Sequence, residues 1–151
     1  DPKAGDNEAT RLRFLDIIAK EANRMQALVE DLMSLSRIEA TKHQQPTEKV
    51  DLLSVAKQCV GESGQPDRVT LHSDVADALV AGDRGQLAQV IRNLIDNALK
   101  YRADPGRSRQ IGGTGLGLSI VKHIVERHRG RFDIASRVGQ GTTATCLFPP
   151  F

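Results

Sequence analysis

The sequence predicts an α+β protein: a long bundle-forming helix followed by a two-layer domain of helices and antiparallel strands. Two patterns indicate this class. An apolar pattern of helical period runs without interruption from Glu8 to about Ala40, and shorter helical and strand patterns follow it and end in a hairpin. The chain has 151 residues, 39% of them hydrophobic, which is enough for one compact domain and an appendage.

Composition excludes several classes of protein. The 21 basic residues nearly balance the 19 acidic ones, so no general electrostatic attraction to nucleic acid or to an anionic membrane is expected. Cys59 and Cys146 lack the spacing of a metal site or a disulfide framework. No apolar stretch has the length of a membrane span, and no signal-peptide pattern opens the chain. We therefore expect a cytoplasmic, soluble chain, which could be cut from a membrane protein.

The first helix carries a stripe suited to packing against other helices. Its apolar residues recur at alternating steps of three and four, as a and d positions do, at Leu15, Ile18, Ala22, Met25, Val29 and Leu32. Leu28 and Leu35 make the stripe wider than a two-stranded zipper needs, which favours a bundle. Because the chain offers no obvious partner for this stripe, we expect dimerisation or a neighbouring helix.

A polar stretch, residues 41–48 with Pro46, predicts a linker, and a second domain is expected to begin near Lys49. Asp51 can cap a helix from Leu52 to about Val60, before a turn-rich loop at residues 61–67. Strand patterns lie at residues 68–72, 78–81, 131–136 and 142–147, the last two as a hairpin.

Two further helices are expected in this domain. Asp83 and Gln86 have the spacing of a capping box that opens a helix from Arg84 to about Tyr101. Its apolar face is expected to comprise Leu87, Val90, Ile91, Leu94, Ile95 and Ala98. The last helix follows a glycine-rich loop, and Gly130 is expected to end it.

The glycine-rich stretch QIGGTGLGLSIVKHIVER, residues 110–127, points to nucleotide phosphates. Glycines let backbone N–H groups approach an anion, and the helix that follows presents the positive end of its dipole. A flexible turn is the alternative interpretation, and the apolar face that follows makes it less favourable. The spacing fits neither a Walker A loop nor a Rossmann fingerprint. Six arginines crowd around this loop, as a phosphate-facing patch or as solvated surface: Arg102, Arg107, Arg109, Arg127, Arg129 and Arg131.

A polar row accompanies the apolar face of the preceding helix. Asn93, Asn97 and Lys100 lie at i, i+4 and i+7 and share one side of that helix. Amide oxygens suit Mg²⁺, and a lysine one turn further can neutralise phosphate. A plain polar surface is the alternative, although asparagine is a poor choice inside a helix.

At this point the chain resembles a known family. QVIRNLIDNALKY, residues 89–101, resembles the N box of the histidine-kinase ATP-binding domain, and GGTGLGLSIVKHIVERHRG, residues 112–130, its second glycine box. GQGTTATCLFP, residues 139–149, is similar to the closing glycine and threonine box. RFLDIIAKEANRMQALVEDLMSLSRIEA, residues 13–40, resembles the second helix of the dimerisation and phosphotransfer hairpin of phosphate-regulon sensor kinases. The fold so implied is that of the histidine-kinase, gyrase and chaperone ATPases.

The resemblance implies a site for ATP and Mg²⁺. Asn97 would coordinate the metal and Asn93 would support the metal or its water. The other implied ATP contacts are Lys100 at the phosphates, Tyr101 at the adenine, Gly113, Thr114, Gly115, Leu116 and Gly117 around the phosphates, and Thr142 or Thr143 near the adenine.

The resemblance also implies an activity and partners. The family transfers the γ-phosphoryl group of ATP to a histidine and then to an aspartate of a response-regulator receiver domain. Residues 1–45 would be half of the dimerisation hairpin, forming a homodimer through residues 12–38, and residues 46–151 the ATP-binding domain. The parent protein would lie in the inner membrane through segments outside this chain. Its stimulus, its cognate regulator and its full topology are not encoded in these residues.

The chain departs from the family in three places. The phosphoacceptor motif and the first hairpin helix are absent, and none of His43, His72, His123 and His128 stands in the context of an acceptor. The DxGxG box that reads adenine is also absent, with the junction at or next to Tyr101. Two interpretations remain open: a segment omitted between residues 101 and 102, or a genuine deletion. No catalytic residue is assigned, and a dead module that dimerises and docks a regulator is the alternative to an active kinase part. Another ATPase of the gyrase or chaperone type is less favoured, because glutamate usually stands there in place of Asn93.

Overall fold

A computed structural model describes residues 2–103 and 115–151, with side chains from residue 7 to residue 100 and from residue 115 onward. In chain order the elements are helix α1 (Pro2–Ala40), strand β1 (Glu48–Asp51), helix α2 (Leu52–Glu62), a short 3-10 turn (Pro66–Arg68), strand β2 (Leu79–Gly82), helix α3 (Arg84–Ala103), helix α4 (Gly117–Arg127), strand β3 (Arg131–Arg137) and strand β4 (Gly141–Leu147). Strands β1 and β2 pair antiparallel, as do β3 and β4. The predicted α+β class is confirmed.

The first two-stranded sheet differs from the prediction. Its strands meet with Val50 opposite Val80, and both side chains are buried. The strand predicted at residues 68–72 is wrong, because those residues pair with no strand in the described parts of the chain. Strand β1 was not predicted, because only one of its four residues, Val50, is both buried and apolar; its first residue, Glu48, was the last of the predicted linker.

Asp51 forms the predicted cap of α2 and also joins this helix to the approach of β2. Its carboxylate accepts bonds from the N–H groups of Leu53 at 3.0 Å and Ser54 at 3.3 Å, and from Ala78 at 3.0 Å. The Ala78 N–H bond is the main reason that the pKa of Asp51 lies below its ordinary value. One carboxylate thus fixes the start of α2 against the segment before β2.

The start of α3 is capped in part by His128, the residue that follows the end of α4. Asp83 Oδ1 accepts the N–H of Gln86 at 3.0 Å, as the capping box predicts. The Gln86 side chain does not return to the Asp83 N–H, which donates instead to His128 Nε2 at 3.0 Å. His128 is buried, and its Nδ1–H donates to the Ile124 carbonyl at 2.7 Å. The neutral ring is required here, because one nitrogen accepts while the other donates.

The hydrophobic core consists of two clusters that share Phe148. The first gathers the inner face of α4 with Ile38 of α1 and Val90 of α3. On α4 the side chains of Ile120, Val121, Ile124 and Val125 are fully buried. The second cluster joins α2, both strands of the first sheet and α3, through Val50, Val55, Cys59, Val80 and Leu87. Burying one such side chain contributes roughly 1.5–3 kcal/mol.

Gly130 plays a different part from the one predicted. The left-handed residue after α4 is Arg129, with φ of 55°. Gly130 donates its N–H to the Val125 carbonyl at 2.8 Å, and a Cβ on it would lie 2.4 Å from the Leu147 carbonyl oxygen. Glycine is needed here because the helix end passes close to β4.

The hairpin of β3 and β4 forms with the predicted partners. Arg131 pairs with Leu147 and Arg137 with Gly141, and the turn contains Gly139 with φ of 76°. Near α4 the hairpin packs on the core through Phe132 and Cys146. Ile134, further toward the turn, is exposed. In the part of the chain that the structure describes, no helix is long and apolar enough to cross a membrane.

The His128 contacts predict a loss of stability in mild acid. Burial holds the pKa of His128 below its ordinary value of 6.5, although the Ile124 carbonyl opposes this shift. Since the unfolded chain takes up the proton at higher pH than the folded chain, the free energy of unfolding should fall as the pH drops below about 6.5. Urea unfolding between pH 8 and pH 5 measures this fall. His128→Gln keeps an acceptor for Asp83 and should show a smaller fall; equal falls in both proteins would contradict the assignment.

Candidate nucleotide site

Helices α3 and α4 lie antiparallel, and hydrogen bonds near both ends of α4 join them. At the start of α3, Asp83 and Gln86 bond to His128 and Arg127 at the end of α4. In the middle of α3, Asn93 reaches the first residue of α4. Between these bonds, Val90 of α3 and the inner face of α4 belong to the first core cluster. The pair therefore forms one rigid unit on which the candidate site residues are carried.

The contact of Asn93 brings the asparagine row and the glycine box together. Its Nδ2 donates to the carbonyl oxygen of Gly117 at 3.3 Å, and the side chain is half-buried. Asn97 follows one turn later and is also half-buried, whereas Lys100 is exposed. The Gly117 bond uses only the nitrogen of the Asn93 amide, and its oxygen is a ligand type that Mg²⁺ accepts.

The described end of the glycine box has the features of an anion-binding helix start. Gly115 has φ of 75°, a conformation that favours glycine. Leu116 occupies the cap position of α4 and provides no side-chain acceptor for the first amide groups of the helix. Its side chain packs on the first core cluster, which holds the loop end in place. The first N–H groups of α4, with the positive end of its dipole, can therefore serve an anion.

The other candidate residues are placed as follows. Gly113 and Thr114 lie outside the described residues, and for Tyr101 only the backbone within α3 is described. Thr142 lies on β4 beside the hairpin turn, is exposed, and its hydroxyl contacts the Ser136 hydroxyl at 2.9 Å. The structure thus joins Asn93 to Gly117, with Gly115 and Leu116 adjoining, and it shows no bond that brings Thr142 to them.

Burial along α3 falls off toward the candidate site. Leu87 and Val90 are buried, whereas Leu94 and Ile95 are only half-buried. The expectation that Ala98 belongs to the buried face is wrong, because this residue is exposed. The described parts of α2 and α4 pack against α3 as far as Leu94 and Ile95, whereas Ala98 and Lys100 beyond them are exposed.

Two arginines of the supposed basic patch have other partners. Arg127 bonds to Gln86 and to two linker carbonyls, and Arg131 pairs with Asp133 through Nε at 2.7 Å. Their interpretation as phosphate-facing groups is therefore wrong. Sequence analysis missed Arg127 and Gln86 as joining residues, because no periodicity marks a polar contact between elements distant in sequence.

Comparison with known proteins shows the family of this chain. The family described as histidine kinase-, DNA gyrase B- and HSP90-like ATPase matches residues 104–151. The phosphate regulon sensor protein PhoR of Pseudomonas aeruginosa is 32% identical, over 92% of this chain and 42% of its own length. The chain is a homologue of the sensor histidine kinases. The sensor-like histidine kinase SenX3 of Mycolicibacterium smegmatis is 26% identical over 98% of the chain and 50% of its own length.

A solved structure supports the fold assignment. The mycobacterial sensor histidine kinase MprB superimposes with a TM-score of 0.55 and 22% identity, over 68% of this chain and 97% of that one. The histidine-kinase type of ATPase fold is thereby confirmed. The family resemblance is confirmed by the identity with PhoR. The chain spans half or less of the length of PhoR and SenX3.

The alignments with these relatives are longer than the chain. They extend over 187 residues for PhoR and 194 for SenX3, whereas the chain has 151. Both relatives therefore contain residues that have no counterpart in this histidine-kinase homologue.

Proposed function

We propose that this chain is the ATP-binding domain and one bundle helix of a sensor histidine kinase of two-component signalling. In that role it binds Mg²⁺–ATP, and the kinase passes the γ-phosphoryl group to a histidine and then to an aspartate of a response-regulator receiver domain. The observation that carries this proposal is the bond from Asn93 to Gly117, which joins the asparagine row to the glycine box. The similarity to PhoR and SenX3, which align with nearly the whole chain and are named as a sensor protein and a sensor-like histidine kinase, also supports it.

The described residues fit a metal–nucleotide ligand. Asn97 and Asn93 offer neutral oxygens on one side of α3, and these would hold Mg²⁺ or its water. Lys100, exposed one turn further, and the first amides of α4 would meet the phosphates. Bound Mg²⁺ would neutralise charge on the phosphates of ATP. For Gly113, Thr114, Tyr101 and Thr142 the proposal depends on the family resemblance.

The chemistry of the row favours transfer to a protein group over hydrolysis. Phosphoryl transfer depends on positioning and charge neutralisation more than on acid–base groups. The amide of Asn93 cannot take a proton from water, and it stands where a water-activating glutamate is usual in the gyrase and chaperone ATPases. This supports a role in phosphotransfer.

We also propose that, relative to the family, an internal segment is missing near residues 101 and 102. The longer alignments are consistent with this. Among the described residues, three features are also consistent with it: two separate two-stranded sheets, a stretch at residues 69–72 that pairs with no described strand, and an exposed Ala98. A further strand could supply a neighbour to each of them. Under this proposal residues 1–45 are a partial dimerisation hairpin and residues 46–151 the ATP-binding domain. As the family resemblance implies, the parent protein would hold this chain on the cytoplasmic side of an inner membrane.

Nucleotide binding tests the first proposal. A fluorescent ATP analogue with Mg²⁺ should bind the chain, and Asn97→Ala should weaken binding by roughly tenfold or more, as loss of one ligand to a charged group does. Asp96→Ala, a neighbouring exposed position, serves as the matched control and should bind like the parent chain.

Two outcomes would count against the nucleotide site. If Asn97→Ala and Asp96→Ala bind alike, the asparagine row is not the metal site. If the folded parent chain does not bind the analogue at all, the alternative function is favoured: a kinase-like module that dimerises and docks a response regulator without chemistry. The absent DxGxG box is the observation that supports this second candidate.

Helix α1 can contact a second copy of the chain and the ATPase domain at the same time, because it uses different sides for the two. The stripe residues remain accessible: Leu15 is 55% exposed, Ile18 63%, Met25 66%, Val29 56% and Leu32 57%. Ser34 and Ile38, which contact the ATPase domain, lie on roughly the opposite side of the helix. We propose that a second copy covers the stripe within residues 12–38, because a seam of a and d positions favours helix association.

Sedimentation measures this association. The parent chain should sediment as a dimer, and Met25→Lys should shift it to monomer because a charge would enter the seam. Asn23→Lys places the same charge two residues away on the other side of α1 and should leave the dimer intact. A parent chain that is monomeric throughout, or equal dissociation of the two variants, would contradict the proposal.

A further inference from the structure

The end of α1 meets the ATPase domain through a small mixed interface. Ile38 is only 3% exposed and packs with the inner face of α4. One turn earlier, the Ser34 hydroxyl donates to Gln89 Oε1 of α3 at 2.9 Å. Most of α1 before these residues is exposed. The orientation of a 39-residue helix therefore depends on its last turns and on the linker that follows.

Arg127 closes this interface with three hydrogen bonds. Its Nε donates to the Thr41 carbonyl at 3.2 Å and its Nη2 to the Gln44 carbonyl at 3.1 Å. Its Nη1 donates to Gln86 Oε1 of α3 at 2.6 Å. One planar guanidinium thus joins the last turn of α4, the first turn of α3 and both ends of a four-residue linker segment. The fixed fork of donors suits such a three-way contact, which a lysine could not make.

The charge of Arg127 favours the same arrangement. Thr41 directly follows the last residue of α1, where helix carbonyls carry a partial negative charge. The Thr41 N–H is itself bonded to the Arg37 carbonyl at 3.1 Å, so holding the Thr41 carbonyl also holds the end of the helix. A cation at this point stabilises the helix end that it restrains.

Helix α4 connects this contact to the candidate site. Gly117 begins the helix at the glycine box and Arg127 ends it at the linker. The 11 residues of α4 rise about 1.5 Å each, so the two ends are about 16 Å apart. With its inner face fully buried, α4 can move only as a body, together with the core around it.

We propose that Arg127 is a clasp that holds the linker, and with it α1, docked against the ATPase domain. With the clasp closed, α1 has one orientation relative to α3 and α4. When the clasp opens, the linker is released and the contacts of Ser34, Leu35 and Ile38 remain to hold α1, so that the helix can detach and reorient more readily. Arg127 is thus a positioning residue for the whole helix, and the proposal needs no bound nucleotide and goes beyond the proposed function.

Hydrogen exchange followed by mass spectrometry tests the clasp in the full chain without nucleotide. Arg127→Met keeps the length and much of the apolar stem but removes all three donors. It should speed exchange of three amides by roughly tenfold, as loss of a few weak restraints would. These are the Thr41 and Lys42 amides, which bond to the end of α1, and the Gln44 amide, which bonds to the Thr41 carbonyl. Arg129→Met removes the same charge two residues later, at an exposed position, and should leave this exchange unchanged.

Two further measurements complete the test. Arg127→Lys, which keeps the charge without the fork, should give exchange between that of Arg127→Met and the parent chain. In Arg127→Met, amides of β1 and α2 should exchange as in the parent chain. The clasp is overturned if Arg127→Met and Arg129→Met exchange alike at Thr41–Gln44. It is equally overturned if exchange rises to the same extent in β1 and α2, since Arg127 would then support the fold in general.

Discussion

The burial of the inner face of α4 is the interaction on which the rest of the structure depends. Two consecutive turns of the helix each contribute two fully buried side chains: Ile120 and Val121, then Ile124 and Val125. They pack against α3, the end of α1 and the base of the hairpin, so one short helix joins these three parts of the fold. A protein interior this closely packed does not deform smoothly, and the two ends of α4 are therefore fixed relative to each other.

Each end of α4 uses that rigidity differently. At its start, Gly117 bonds to Asn93, and this contact gives the proposed phosphate and metal ligands a common frame. At its end, His128 completes the cap of α3 while Arg127 gathers the linker. The nucleotide site and the attachment of the bundle helix thus depend on the same apolar contacts. Polar contacts at both ends of α4 determine how the neighbouring elements are oriented, because apolar packing alone does not.

Periodic features of the sequence predicted much of this architecture. They did not predict the contacts between residues that are distant in sequence. The helical period located α1, α3 and α4, and the Asp51 and Asp83 caps followed from local spacing. Strand β1 was missed and residues 68–72 were wrongly predicted as a strand, because pairing, not local pattern, decides whether an extended segment becomes a strand. The asparagine row and the glycine box were recognisable as motifs, and their joining through Gly117 needed the fold. The contacts of Gln86 and Arg127 link residues 41 positions apart and leave no local signal.

The central claim is that the start of α4 and the asparagine row of α3 form one nucleotide site. Hydrogen exchange of the parent chain with and without a non-hydrolysable ATP analogue and Mg²⁺ tests it most directly. The amides of Gly117, Leu118 and Ser119 precede the first intrahelical donor, Ile120, whose N–H bonds to the Leu116 carbonyl at 2.9 Å. Phosphate binding should slow exchange at these three amides and around Asn93–Asn97, and leave β1 unchanged. Binding of the analogue with unchanged exchange at the start of α4 would contradict the account.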